Sequence, residues 1–129
     1  MTTVSGPWTL EQVHLHLDDV VIPVRLSFLD GDGHPRVLSL WFERRGPHLW
    51  CATQRTAMVA RALDRDDRVG FEVAGDEGPY RGVRGRGRAR IHPDAGSAVL
   101  GALMGRYLTP DDPLVPRLRA PVSYTHLRA

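Results

Sequence analysis

Lysine is missing from the sequence altogether: all 17 basic residues are arginine, set against 15 acidic ones for a formal net charge of +2. So small an excess argues against a dedicated nucleic-acid binder, which normally carries a strongly basic face. Cysteine is nearly absent too. Cys51 stands alone, which excludes an intramolecular disulfide and points away from an oxidised secreted scaffold. No apolar run approaches the roughly 20 residues of a membrane helix, and Met1–Pro7 has no basic segment followed by an apolar stretch, so a cytoplasmic location is expected. Internal repeats and low-complexity tracts are lacking. What is present is 42% hydrophobic residues in a chain of 129, enough for one domain and too short for two. Arginine without lysine, alongside abundant Ala, Gly, Pro and Val, is largely what GC-rich coding writes; the guanidinium fork nevertheless suits phosphate and carboxylate wherever arginines gather.

The pattern along the chain predicts a mainly β protein. Thr9-Leu10-Glu11-Gln12 has the form of a capping box, and Leu10, Val13 and Leu17 follow at helical spacing. A strand over 13–17 would put His14 and His16 on one face, as a metal pair; a helix separates them by about 200°, and no third ligand is suitably spaced. No metal site is expected. Val20–Leu29, the turn Asp30-Gly31-Asp32-Gly33 and Arg36–Phe42 read as a hairpin, and His48–Thr53 as a third strand. Thr56–Asp64 reads as a short helix with Thr56 as N-cap. Arg68–Ala74 and Tyr80–His92 return to strand, and Pro93–Tyr107 carries a helical stripe through Val99, Leu100, Leu103 and Met104. Antiparallel strands with short helices inserted describe a small β-barrel.

Two places suggest chemistry. Alternation in Tyr80–Ile91 puts Arg84, Arg86, Arg88 and Arg90 on one strand face, where Glu43 or Glu72 from a neighbouring strand could neutralise them; Gly85 and Gly87, mid-strand, imply a bulge or a close neighbour. Thr53-Gln54-Arg55-Thr56 leads into a helix N-terminus, where free N–H groups, two hydroxyls and Arg55 form a modest phosphate cradle. Trp41, Phe42 and Trp50 read as core. Cys51 has no adjacent base and no serine sits in a nucleophile elbow, so no catalytic residue is assigned.

Arg36-Val37-Leu38-Ser39-Leu40-Trp41-Phe42, Leu49-Trp50-Cys51-Ala52-Thr53, Arg61–Val69 and Pro79-Tyr80-Arg81-Gly82-Val83 with Gly87 and Ala89 look, in order and spacing, like the pyridoxamine 5′-phosphate oxidase-like proteins. The resemblance spans roughly Leu10 to Tyr107. It implies a split antiparallel β-barrel and a homodimer with cofactor clefts at the subunit interface, holding FMN, sometimes a deazaflavin, in a few branches haem. Arg36 matches the arginine that reaches the flavin phosphate, the backbone of Val37, Leu38, Ser39 and Leu40 would line the ring, and Thr53 matches the threonine ending the third strand. The family's phosphate-binding Ser-Arg-Lys falls on Ala57, Met58 and Val59, which donate no side-chain hydrogen bond, and the glutamine of Arg-Gln-Val falls on Gly82. Arg55, Thr56 and Arg61, nearby, would have to compensate, beside Gln54 in the same cradle. The activity implied is a flavin-dependent oxidoreductase acting on an unidentified small molecule; the alternative is a non-catalytic flavin-, deazaflavin- or haem-binding protein on the same fold. Pyridoxamine phosphate oxidation itself is disfavoured, because that substrate needs a phosphate clamp of its own.

Residues 123–129, Ser-Tyr-Thr-His-Leu-Arg-Ala, stand where the resemblance expects a closing strand, and they resemble an in-frame translation of a sequencing adapter. The expectation is a single domain over 1–122 that lacks its last strand, followed by a non-native tail.

Overall fold

The computed structural model describes residues 4–54, 57–78, 81–92, 96–114 and 124–128, with the backbone alone at 96–97 and 124–128. Helix α1 (Leu10–Asp19) starts as the sequence predicts: Gln12 N–H donates to Thr9 Oγ1 at 3.2 Å, and Thr9 N–H donates to Gln12 Oε1 at 2.8 Å. His14 and His16 therefore part around a helix. The predicted hairpin is β1 (Val24–Leu29) and β2 (Pro35–Leu40), shorter at its outer ends than expected. Its turn is held by Asp30, whose Oδ1 accepts from the N–H of Asp32 at 2.9 Å and of His34 at 3.0 Å, while Gly33 takes a φ of +80° that a side chain would resist.

A short strand the sequence did not suggest, β3 (Glu43–Arg45), turns at Gly46 into β4 (His48–Gln54). Helix α2 (Met58–Arg65) follows, and its cap differs from expectation. Ala57 occupies the N-cap position with no side-chain hydrogen bond, and Thr56 lies outside the described residues. Strand β5 (Arg68–Ala74) agrees with its predicted span. The predicted single strand through Tyr80–His92 is instead two, β6 (Gly82–Arg88) and β7 (Arg90–His92). Between them Ala89 is only 3% exposed and donates its N–H to Asp67 O at 2.8 Å. A methyl small enough to enter the core lets the chain turn there from one sheet into the other.

Helix α3 (Gly96–Tyr107) and β8 (Tyr124–Arg128) complete the described elements. The strands form two four-stranded antiparallel sheets, ordered β2-β1-β5-β6 and β3-β4-β8-β7. The barrel expected from sequence is thus a pair of sheets with three short helices; no closed ring of strand pairing joins them among the described residues. Nor is the closing position empty: the backbone of Tyr124–Arg128 pairs with β4 on one side and β7 on the other.

Alternation decides which side chains enter the core. Val24, Leu26 and Phe28 of β1 point inward with Val69 and Val73 of β5, Phe42, Leu49 and Cys51, and α2 adds Val59, Ala62 and Leu63. Arg25, Ser27, Glu72 and Arg84 share the opposite face of the first sheet, as their register requires. Packing also supplies the reason for Gly85: a Cβ there would lie 2.9 Å from the Phe71 ring, its partner on β5. Gly87 faces open space.

Candidate functional site

At the hairpin end of the first sheet, β2 begins with Arg36, whose Cα partner is the buried Phe28, so its side chain leaves the strand towards the side covered by α2. Its Nε donates to Asp30 Oδ2 at 2.8 Å. That hydrogen bond is the main reason the Asp30 carboxyl stays below the usual carboxylate range; burial opposes it, and the His34 and Asp32 N–H groups add to it. Asp30 thus organises the turn with one oxygen and aims Arg36 with the other.

Helix α2 provides the opposite wall. Val59, Ala60, Ala62 and Leu63 are buried, which leaves Met58, Arg61 and Arg65 along the outer side at positions i, i+3 and i+7. With Asp30, Gly31, Asp32 and Arg36 they surround a cavity of about 290 Å³. The side chains of Arg61 and Arg65 have no hydrogen-bond or ion-pair partner among the described residues, whereas that of Arg36 has Asp30. Two like charges at i and i+4 cost a helix roughly 0.2–0.5 kcal/mol. Three guanidinium groups, two of them without a side-chain partner among the described residues, outnumber Asp30 and Asp32 around this small cavity, which suits an anion such as a phosphate.

Of the residues picked out from sequence, Arg36 and Arg61 come together here. Val37, Leu38, Ser39 and Leu40 run away from the cavity along β2, an edge strand on which Val37 is 68% exposed. Thr53 is buried near the end of β4, and Gln54 O accepts from Ala57 N–H at 3.0 Å, so both belong to the approach to α2 rather than to the cavity wall. Arg55 and Thr56 lie outside the described residues. Val59, where the resemblance would place lysine, is 4% exposed and faces the core, so a cation at that position of this helix would be buried. Gly82 has Ala74 packed where its Cβ would be, which leaves no room for the glutamine the resemblance would put there.

Sequence reasoning missed Arg65 and Met58. The signal was available: once α2 is drawn as a helix, Met58, Arg61 and Arg65 share its polar side. It missed Asp30 as well, which read only as a turn residue.

The arginine stripe of β6 resolves differently. Glu72 stands opposite Arg84 and pairs with Arg25 at 3.8 Å, Arg88 pairs with Asp67 at 2.7 Å, and Glu43, the other acid proposed, is held by Arg45 at 3.0 Å. A larger groove of about 650 Å³ runs past Asp66, Asp67, Arg88 and Arg90. Much of its charge is already satisfied internally, since Arg68 also grips Asp66 through two contacts of 2.9 and 2.6 Å. Burial pushes the Cys51 thiol up to about 12, so it is inert as a nucleophile at neutral pH. Among the described residues no group of three His, Cys, Asp or Glu side chains is placed to hold a metal ion.

Comparison with solved structures decides the fold. The chain superposes on a conserved hypothetical protein of Mycobacterium tuberculosis with a TM-score of 0.77 at 22% identity, over 95% of this chain and 80% of that one. The fold is that of the pyridoxamine 5′-phosphate oxidase-like proteins. An F420 reductase matches with a TM-score of 0.71 at 23% identity, over 88% of each chain. A Listeria innocua protein named as a pyridoxamine 5′-phosphate oxidase matches with 0.69 at 16% identity, over 93% of this chain and 91% of its own. At these identities the likeness is one of fold, and the chain is a divergent example of it. No protein-family model matches the sequence, and no curated protein does. No helix among the described residues is long and apolar enough to cross a membrane.

Proposed function

We propose that this chain is a flavin-dependent oxidoreductase on the pyridoxamine 5′-phosphate oxidase-like fold, holding the phosphate end of FMN or a deazaflavin at Arg36 and Arg61 and acting on a small organic molecule. One observation carries the reading: two arginines chosen from sequence for phosphate binding, one on β2 and one on α2, line the same cavity, and Arg61 has no acid of its own among the described residues. Its lining sets Arg36, Arg61 and Arg65 against Asp30 and Asp32, a positive excess that supports the binding of a phosphoryl group. The bound ring would supply the hydride chemistry, and the protein's part is binding, orientation and exclusion of water. Arg36, held by Asp30, would meet the phosphate already oriented, and the backbone of Val37–Leu40 on the exposed edge strand would support the ring. The same edge, with Val37 uncovered, is where a second copy would pack in a homodimer.

A second reading is favoured by a specific feature. Ala57, Met58 and Val59 offer no side-chain donors at the start of α2, which suits a protein that keeps a flavin, deazaflavin or haem without turnover. The two readings separate on reduction. A visible spectrum identifies the chromophore, and stopped-flow reduction by NAD(P)H or a reduced deazaflavin tests for turnover: catalytic bleaching supports the enzyme, and a bound but kinetically inert chromophore supports the carrier.

A further inference from the structure

Ala57, Met58 and Val59 bring no side-chain donor to the start of α2, yet further along the helix Arg61 and Arg65, whose side chains have no partner among the described residues, line the cavity. The seat of Arg65 is the informative detail. Its guanidinium lies beside Gly31 in the hairpin turn, so close that a Cβ on Gly31 would stand 2.8 Å from Nη1, 3.2 Å from Nη2 and 3.3 Å from Cζ. Gly31 does not need to be glycine for its backbone angle, since the positive φ values among the described glycines fall at Gly6, Gly33 and Gly46. Among the described residues no acid forms an ion pair with Arg65: Asp30 is engaged with Arg36 and the turn amides, and Asp32, which lines the same cavity, makes no ion pair with it. The missing side chain at position 31 is what makes room for the guanidinium at the rim.

We infer that Arg65 is an anion-binding residue and Gly31 its positioning residue, so that the phosphoryl subsite is rebuilt about one helical turn further along α2, from Arg61 and Arg65 with Arg36 opposite. The ligand class is a phosphate ester. This assignment rests on the cofactor reading above and extends it to residues which the resemblance does not supply. Arg61 and Arg65 sit four residues apart, roughly 6 Å along the axis, close enough for both to reach one phosphoryl group in a cavity of about 290 Å³.

The test is titration calorimetry of the full chain with FMN, with riboflavin, which lacks the phosphate, and with inorganic phosphate, alongside thermal unfolding of each variant. The expected result is that FMN binds more tightly than riboflavin, and that Arg65→Gln weakens FMN about tenfold or more, the loss of a charged hydrogen bond, while riboflavin is unaffected. Gly31→Ala should also weaken FMN and phosphate several-fold, because the new methyl displaces the guanidinium, yet leave Tm unchanged, because the displaced atoms are the end of a flexible side chain. If FMN binds and Arg61→Gln weakens it, but Arg65→Gln and Gly31→Ala do not, the assignment of Arg65 and Gly31 is overturned and the cofactor reading stands. If neither FMN nor phosphate binds, or FMN binds no better than riboflavin, the assignment of Arg65 and Gly31 is overturned, and the cofactor reading falls with it when a phosphorylated deazaflavin titrated in the same way also fails to bind.

Discussion

Replacing the part-buried Arg106 by methionine should destabilise the protein measurably. Its Nη2 donates to Leu17 O at 2.7 Å and Val20 O at 2.6 Å, two of the carbonyls left over where α1 ends, with a longer contact of 3.4 Å from Nη1 to Asp18 O. The same guanidinium lies 4.9 Å from the centre of the Phe42 ring and 5.5 Å from that of Tyr107. Tyr107 in turn donates to Ile22 O at 2.8 Å and accepts from Phe42 N–H at 3.3 Å, so α3 ties the end of α1 to the chain entering β1 and β3. Two partly buried charged hydrogen bonds are worth up to roughly 1.5–3 kcal/mol each; the carbonyls of a helix end recover some of that from water once uncovered. The expected loss is therefore about 2–4 kcal/mol, or roughly 10 °C in Tm for a domain of this size. Methionine keeps the apolar stem, so the loss reports the guanidinium. Urea unfolding of the wild-type, Arg106→Met and Arg106→Lys proteins measures it, and lysine, with charge but no planar fork, should restore less than half. A methionine variant within about 0.5 kcal/mol of wild type would show that water serves those carbonyls equally well and that the reasoning is wrong.

Other consequences are open to direct measurement. Gly85→Val, which drives a side chain into Phe71, should cost about 1–3 kcal/mol, whereas Gly87→Val, facing open space, should be neutral or stabilising; equal effects of the two in denaturant unfolding would contradict the packing account. Asp66 is held down to about 2, first by the Arg68 guanidinium and then by the Arg68 N–H. Because its folded pKa lies below the unfolded value, the stability it contributes is complete above pH ~4 and lost as pH falls towards 2. Carboxyl NMR titration should give a midpoint near 2, returning towards the ordinary carboxylate range in Arg68→Gln; an ordinary midpoint in the wild type would refute the pairing. Deleting 123–129 should leave β4 and β7 unpaired at the centre of the second sheet, so the shortened chain should aggregate; light scattering that shows a well-behaved shortened protein would deny β8 a structural part.

What the sequence disclosed follows the strength of each local signal. The Thr9–Gln12 capping box and the Asp30–Gly33 turn act through neighbours in the chain, so α1 and the first hairpin appear where expected. Strand β3 is too short for alternation to register. The division of 80–92 at Ala89 depends on a tertiary event, a methyl entering the core beside Asp67, which period-two alternation cannot express. In the same way sequence could nominate Arg36 and Arg61 separately, but not the contact of Arg65 with Gly31, which brings together residues far apart in the chain. Val59 shows the reverse: it read as a lost donor, and only the helix's facing shows it as a core residue.

The cavity between the β1–β2 turn and α2 is proposed to bind the phosphate end of a flavin-type cofactor. Its most direct test is the visible absorption spectrum of the purified protein, before and after titration with FMN and with a deazaflavin, with mass spectrometry of whatever denaturation releases. The expected finding is a phosphorylated flavin or deazaflavin, bound at one per chain and released by Arg36→Gln together with Arg61→Gln. A colourless protein that takes up neither compound, or one that binds them as well without those two arginines, would contradict it.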